Sequence, residues 1–170
     1  MSLPLKELIK IGQTQLKEAG VGDADRDARD LYCFLDKIDT VGLMMHWQDT
    51  LQDNACEAYF DLIQRRAAGE PMQYITGVQE FMGIPFKVTP QVLIPRQDTE
   101  TLVETLLSYA KDKPGASLID VCTGSGCIAV SLAHYGNFAQ VTASDISSAA
   151  LLVAKENAAD NHASVQFFES

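Results

Sequence analysis

One segment, Leu118 to Ala129, constrains the fold of this chain more than any other. It reads LIDVCTGSGCIA: apolar and β-branched residues lead into a run of small residues, and an apolar helical pattern follows. That order predicts a strand, a tight loop and a helix, and the N–H groups at the start of such a helix make a site for an anionic or hydrogen-bond-accepting ligand. Gly124 and Gly126 let the backbone approach a ligand closely.

A second acidic residue supports a nucleotide site. Asp145 ends the next apolar run and lies 19 residues after Gly126, close to the spacing at which a carboxylate binds a ribose in βαβ nucleotide sites. The pattern Gly124-x-Gly126-x-x-Ala129 fits the dinucleotide fingerprint GxGxxA, so NAD is one cofactor that the segment predicts.

The other cofactor that fits is S-adenosylmethionine. Read from Asp120, the segment is D-x-C-x-G-x-G. This resembles the first motif of class I methyltransferases, D/E-x-G-x-G-x-G, with Cys122 in place of the first glycine. The Cβ of a cysteine removes the free access to positive φ that glycine has. The loop by itself leaves both cofactors open.

Composition narrows the class of protein. The chain has 170 residues, of which 46% are apolar, and a formal net charge of −10, which suits one globular domain or two small ones. The acidic balance argues against direct binding to nucleic acid through clustered lysine and arginine. No apolar run reaches the 18 residues of a membrane span, and no signal peptide is visible. We therefore expect a cytoplasmic protein.

The cysteines and histidines do not form a pattern typical of a metal site. No CxxC pair occurs, and the three histidines are isolated in the sequence. We therefore predict no metal site. We also predict that the four cysteines are free thiols, as in cytoplasmic proteins: Cys33, Cys56, Cys122 and Cys127.

The first 70 residues predict a small helical bundle. Apolar residues recur at helical spacing, for example at Ala28, Leu31, Tyr32 and Leu35. Asp23 is the predicted N-cap of that helix. The predicted helices cover residues 4–19, the stretch that follows Asp23, 40–46 and 53–68.

The pattern changes after Gly69. Residues 74–94 favour extended structure, and interruptions by glycine and proline predict a β-hairpin that links two domains. Asp98 is then predicted to cap a helix that runs to about residue 111 and ends at Pro114-Gly115.

The remainder alternates between strand and helix patterns, which predicts parallel βαβ units in a doubly wound sheet. Ser147 is a natural N-cap for the second of these helices. The predicted strands are 117–121, 139–144 and 164–168, and the predicted helices are 125–134 and 148–159. The predicted fold class is α/β, with domains at 1–70 (helical), 71–95 (hairpin or linker) and 96–170 (Rossmann-like).

The upstream segment decides between the two cofactors. Residues 65–104 read RRAAGEPMQYITGVQEFMGIPFKVTPQVLIPRQDTETLVE. This stretch resembles the release-factor glutamine methyltransferase family (HemK/PrmC), whose signature is GEPxQYIxGxxEFxGxxFxVxxxVLIPRxxTExLVE. DVCTGSGCIA and TASDISSAALLVAKENA follow in the family's order and spacing. One departure is Gln97, where many members have proline.

The resemblance implies a cofactor, a substrate and a domain arrangement. The family transfers a methyl group from S-adenosylmethionine to the side-chain nitrogen of the glutamine in the GGQ motif of peptide-chain release factors. The implied fold is a helical substrate-recognition domain followed in the chain by a class I methyltransferase domain. Asp145 is implied to accept hydrogen bonds from the ribose hydroxyls, with Ile146 near the adenine and residues 93–97 near the methionine end. The loop residues implied to line the methionine side are Asp120, Cys122, Thr123, Gly124, Ser125 and Gly126.

The family's catalytic Asn-Pro-Pro-Tyr motif does not occur in this sequence, which reaches Ser170 just after the third predicted strand. We therefore expect a C-terminally truncated, incomplete methyltransferase domain without catalytic residues, inactive and weak in cofactor binding. In the family's strand order, 3-2-1-4-5-7-6, strand 117–121 is central. Here we expect it to be an open edge that leads to self-association, strand exchange or disorder beyond about residue 110.

Three alternatives to a protein glutamine methyltransferase remain open from the sequence. The first is a release-factor-binding module without catalysis, carried by the helical domain. The second is an NAD-dependent oxidoreductase fragment, and the third is a nucleic-acid amino-methyltransferase, since the same catalytic motif also suits adenine chemistry.

Overall fold

A computed structural model describes residues 2–113 and 115–170 of the chain. They form two compact units, Met1–Thr76 and Gly77–Ser170. The predicted stop at Pro114-Gly115 falls partly outside the described residues.

The first unit is helical, as the apolar spacing predicts. Leu8, Leu31 and Ile63 come from three different helices and are fully buried in one cluster. The hydroxyl of Tyr59 donates to the backbone oxygen of Ala28 (3.1 Å), so the polar end of this buried ring is satisfied. The helices are α1 Leu5–Glu18, α2 Ala24–Asp36, α3 Thr40–Met45, α4 Asp53–Ala67 and α5 Met72–Thr76, and two short strands, β1 Leu3–Pro4 and β2 Thr50–Leu51, pair antiparallel.

Two details of this unit differ from expectation. Asp23 stands at the N-cap position of α2, but its side chain makes no capping hydrogen bond. The extended structure predicted from Tyr74 onward is wrong for 74–76, because α5 occupies them. The backbone N–H groups of Tyr74 and Ile75 donate to the carbonyl of Pro71 (3.0 and 3.2 Å), and Ile75 is buried in the core of the unit. Proline at the start of a short helix is favoured because it needs no N–H there.

The second unit begins with the predicted hairpin, β3 Val78–Phe81 and β4 Ile84–Lys87. Met82 and Gly83 form its turn and both have positive φ, as a two-residue hairpin turn of the mirror type requires. The predicted cap at Asp98 is wrong: Asp98 lies inside a 3₁₀ turn, Gln97–Thr99, and α6 Glu100–Lys111 starts from Thr99 without a side-chain cap.

The parallel sheet follows the predicted pattern. Three strands pair in the order β5-β6-β7, and both pairings are parallel. Ser147 caps α8 as predicted, because its hydroxyl oxygen accepts from the N–H of Ala150. The elements are β5 Ser117–Val121, α7 Cys127–Tyr135, β6 Gln140–Asp145, α8 Ser148–Asp160 and β7 Gln166–Glu169.

The register of the sheet determines where the loops meet. Asp120 is opposite Ala143, and Val121 is opposite Ser144. Because the carboxyl ends of parallel strands lie at one edge of a sheet, the loop after β5 lies beside the end of β6. The sequence features at 122–126 and at Asp145 are therefore brought together.

Candidate functional site

The loop between β5 and α7 has an unusual backbone. Three of its residues have positive φ: Cys122 (+61°), Gly124 (+57°) and Gly126 (+80°). Only glycine takes this conformation freely, and another residue there costs about 1–2 kcal/mol. Cys122 therefore occupies a position that favours glycine, which agrees with its place in the motif, and its exposed side chain finds room outside the core.

Thr123 anchors the loop to both strands. Its backbone N–H donates to the carbonyl of Ser144 on β6 (2.9 Å), and its hydroxyl donates to Oδ2 of Asp120 on β5 (2.6 Å). Burial raises the pKa of Asp120, the hydroxyl of Thr123 opposes this by stabilising the carboxylate, and the charge of Asp145 adds to the increase. Asp120 therefore tethers the loop.

Asp145 is held in one orientation by the backbone. Its Oδ2 accepts from the N–H of Gly124 (2.9 Å), and its Oδ1 accepts from the N–H of Ser147 (2.9 Å). A carboxylate oxygen has two lone-pair sites, so each oxygen retains one for a further donor. The arrangement is suited to binding two neighbouring hydroxyl groups.

The two glycines of the loop have different surroundings. A Cβ at Gly126 would lie 3.0 Å from Cβ and 3.3 Å from Cα of Ala154 on α8, whereas a Cβ at Gly124 would meet no atom within 4 Å. Gly126 thus permits the close packing of α7 on α8. Gly124 is next to open space, where a ligand can approach the backbone.

The structure brings most of the predicted site residues together, but the side chain of one of them points into the core. Asp120, Thr123, Gly124 and Asp145 are joined by the contacts above. Ile146 follows Asp145 and is 81% exposed, available to a flat ligand surface. Ser125 differs, because its side chain is buried and its carbonyl accepts from the side chain of Asn157 (2.8 Å).

Sequence reasoning missed several residues that support this region. Asn157 of α8 and Asn161, the C-cap residue just after it, hold the hairpin through backbone atoms of Lys87 and Pro85. The only sequence signal was their polar character on a buried helix face, within and just after the segment that matches the family.

The first residue of the hairpin turn, Met82, is held through both of its backbone polar groups by residues to which the motif analysis gave no role. The N–H of Met82 donates to Oε1 of Glu100 (2.6 Å), and the hydroxyl of Tyr135 donates to the carbonyl of Met82 (2.8 Å). Glu100 lies in the upstream signature, so the signature itself pointed to this residue.

Metal-binding clusters and membrane-spanning helices are absent from the residues that the structure describes. No group of three or more histidine, cysteine or acidic side chains there is placed to hold a metal ion. No helix in the same residues is both long and apolar enough to cross a membrane. The four cysteines are free thiols, as predicted.

A parallel sheet with a positive-φ loop after β5 and an oriented carboxylate at the last residue of β6 is typical of a Rossmann-like nucleotide-cofactor domain. Comparison with known proteins specifies it further. The family model described as "PrmC N-terminal domain" matches residues 7–77, and that described as "Methyltransferase small domain" matches residues 96–170. The fold is therefore that of the methyltransferase domain expected from the sequence.

Two curated relatives agree with the matches to the family models. The chain is 53% identical over 116 residues to the release factor glutamine methyltransferase of Moorella thermoacetica, covering 68% of this chain and 41% of that protein. It is 40% identical over 165 residues to the same enzyme of Koribacter versatilis, covering 97% and 59%. A solved structure, the Pyrococcus abyssi tRNA (uracil-54, C5)-methyltransferase with S-adenosyl-L-homocysteine, has a TM-score of 0.46 at 17% identity, covering 55% of this chain and 23% of that one.

The chain belongs to the release factor glutamine methyltransferase family over the two matched regions. It spans about half the length of the curated relatives that it matches.

Proposed function

We propose that this chain carries the substrate-recognition domain and the S-adenosylmethionine-binding part of a protein glutamine N5-methyltransferase. The substrate is the glutamine of the GGQ motif in peptide-chain release factors, as the family membership suggests. In this proposal residues 1–70 recognise the release factor, 71–95 link the domains, and 96–170 bind the cofactor. The main structural support is the carboxylate of Asp145, oriented by two backbone N–H groups beside the open space at Gly124.

The residues present fit S-adenosylmethionine. Asp145 accepts from the two ribose hydroxyls through the lone pairs that the backbone leaves free, and Ile146 provides an exposed apolar surface for the adenine. The methionine side is lined by Asp120, Cys122, Thr123, Gly124, Ser125 and Gly126. Because Ser125 is buried and Gly126 has no side chain, these two contribute backbone atoms only.

When bound, S-adenosylmethionine supplies an electrophilic methyl group on a sulfonium. The residues of this chain bind and orient; they do not activate the acceptor. An amide nitrogen is a poor nucleophile, so its attack depends on exact positioning and on acceptors for its hydrogens. The family's Asn-Pro-Pro-Tyr motif provides these, and it does not occur in the 170 residues. We therefore propose that a polypeptide of residues 1–170 binds the cofactor weakly and transfers no methyl group.

A second candidate function follows from the same observation. With a matched N-terminal domain and without the catalytic motif, residues 1–170 act as a release-factor-binding module. Among the described residues β5 pairs only with β6, so we also propose that its open edge mediates self-association.

Cofactor binding is tested by calorimetric titration of the 170-residue chain with S-adenosylhomocysteine and, separately, with NADH. We expect binding of the first and none of the second. Asp145→Asn should weaken binding about tenfold or more, since a charged acceptor to two hydroxyls is lost. The exposed Asp112→Asn is the matched control and should bind like the parent chain. Preferential binding of NADH would identify a dinucleotide enzyme instead.

The catalytic part of the proposal is tested with S-adenosylmethionine labelled in its methyl group and a purified release factor. We expect capture of the release factor by the immobilised chain but no label in its GGQ glutamine. Sustained turnover would show that the chain contains a complete active site. Failure of capture would contradict the binding-module function.

A further inference from the structure

Asn157 of α8 makes an unusually complete set of hydrogen bonds. The residue is only 1% exposed. Its Oδ1 accepts from the N–H of Lys87 (2.6 Å), and its Nδ2 donates to the carbonyls of Lys87 (3.0 Å) and Ser125 (2.8 Å). Both amide hydrogens are thus in use, and the amide has one orientation that satisfies all three backbone groups.

These bonds join two segments that are far apart in the sequence. Lys87 is the last residue of β4, so the hairpin is attached to α8 at this point. The carbonyl of Ser125 belongs to the peptide group that joins Ser125 to Gly126, and the residues on either side of Ser125, Gly124 and Gly126, both have positive φ. That peptide lies at the end of the proposed cofactor loop, directly before α7, and the side chain of Asn157 fixes the direction of its carbonyl.

We infer that Asn157 is the positioning residue of the cofactor loop, holding it in the binding conformation before the cofactor arrives. This inference rests on the proposed function. The loop contains three positive-φ residues, including one that is not glycine, so its conformation needs outside support. A loop that is already ordered loses less entropy when a ligand binds, and its affinity is higher for that reason.

Asn161, four residues after Asn157 and at the C-cap of α8, provides the matched comparison. It is also buried, and its Nδ2 donates to the carbonyl of Pro85 (2.9 Å) and to that of Asn157 (3.0 Å). It therefore holds the hairpin through the same kind of bond as Asn157. In contrast to Asn157, it makes no hydrogen bond to residues 122–126 within the described residues.

The experiment compares Asn157→Ala with Asn161→Ala in the 170-residue chain. Denaturant unfolding measures stability, and titration followed by NMR measures the Kd for S-adenosylhomocysteine. We expect both variants to lose stability, since each removes the hydrogen bonds that a buried side-chain amide makes to backbone carbonyls. Only Asn157→Ala should weaken binding, by about tenfold or more, with faster hydrogen exchange at the Gly126 amide; Asn161→Ala should stay within about twofold of the parent.

A second measurement uses the parent chain, so it does not depend on the folding of a variant. On addition of S-adenosylhomocysteine the side-chain amide resonances of Asn157 should shift, while those of Asn161 should not.

Equal Kd values for the two variants, with equal exchange at Gly126, would overturn the positioning role. So would unshifted Asn157 amide resonances in a parent chain that binds the ligand. If the parent chain does not bind, the proposed function fails; the exchange of Gly126 in the two variants then still decides whether Asn157 holds the loop.

Discussion

The two units of the molecule use their apolar residues differently. In the helical unit, Leu8, Leu31 and Ile63 are fully buried in one cluster to which several helices contribute. In the sheet unit, β5 carries Ile119 and Val121, which are 58% and 63% exposed. Among the described residues, this strand has a hydrogen-bonded neighbour on one side only.

This difference suggests that the helical unit supplies most of the stability and that the proposed binding region lies in the less buried sheet unit. The first unit buries large apolar side chains in its own core, and burial of apolar surface is the dominant favourable contribution to folding. In the described residues, the second has exposed apolar side chains on β5, the strand that also carries Asp120 and leads into the proposed cofactor loop. Regions with few buried contacts open first, so we expect the loop and β5 to be the least protected part of the sheet.

Truncating one leucine in the helical core tests this contrast with the largest effect. Leu31→Ala should cost about 3 kcal/mol of unfolding free energy, because it removes buried methyl groups and leaves a cavity. Val121→Ala, on the exposed face of β5, should cost less than about 1 kcal/mol. Urea unfolding of both variants measures this. Similar losses would mean that Val121 is covered in solution, for example by self-association of β5.

The two glycines of the proposed cofactor loop allow the effect of backbone strain to be separated from the effect of packing. Gly124→Ala should cost about 1 kcal/mol, the price of positive φ at a residue with a Cβ. Gly126→Ala should cost about 2–4 kcal/mol, since its Cβ would also press against Ala154. Thermal unfolding checks the order of the two. An equal loss at both positions would contradict the tight contact of α7 with α8.

The third prediction has the opposite sign and a smaller size. Cys122→Gly should stabilise the sheet unit by about 0.5 kcal/mol. It relieves about 1–2 kcal/mol of strain at φ +61°, and the greater freedom of glycine in the unfolded chain offsets part of this gain. The measurement is chemical denaturation, with exposed Cys122→Ser as a control that keeps the strain. A loss of stability on Cys122→Gly would indicate that the thiol makes a stabilising contact.

The smallest effect is a dependence on pH. Burial raises the pKa of Asp120 above its ordinary value of 3.8, so the folded chain holds this proton more tightly than the unfolded chain. The stability that the protonated carboxyl of Asp120 contributes is fully present at pH values below 3.8. It is lost as the pH rises through the pKa of Asp120 in the folded chain. Asp120→Asn keeps an acceptor for the hydroxyl of Thr123 and removes the titratable group, so this pH-dependent contribution to stability is lost.

We therefore expect the stability of Asp120→Asn relative to the parent chain to improve as the pH rises from 3.5 through that window, and then to level off. Unfolding curves of both proteins across this range give the difference directly. A relative stability that declines with rising pH would show that the carboxylate, not the acid, is the favoured form in the fold.

The sequence predicted the elements whose signals are local. The β-branched run at 117–121 and the apolar periodicity of α1 and α4 correspond to observed elements within one or two residues at each end, and Ser147 caps α8 as expected. Asp98 was a poor prediction because the backbone tightens into a 3₁₀ turn there and α6 starts one residue later. The helix at 72–76 was missed because burial of Ile75 outweighs the extended preference of its neighbours.

Within the candidate site, the motif located the loop and Asp145, since both depend on residue type and spacing. The contacts of Asn157 could not be predicted in the same way. They link positions 70 and 32 residues apart, and only the packing of α8 against the hairpin brings those atoms together. The buried direction of Ser125 has the same origin.

The most direct test of the cofactor site is an NMR titration of the 170-residue chain with S-adenosylhomocysteine, read at each backbone amide. We expect the largest shifts at Gly124, Ile146 and their neighbours in residues 120–126 and 145–147. Asp145→Asn should reduce those shifts at equal ligand concentration. Shifts confined to the helical unit, or unchanged binding by Asp145→Asn, would contradict the assignment of this loop and carboxylate as the cofactor site.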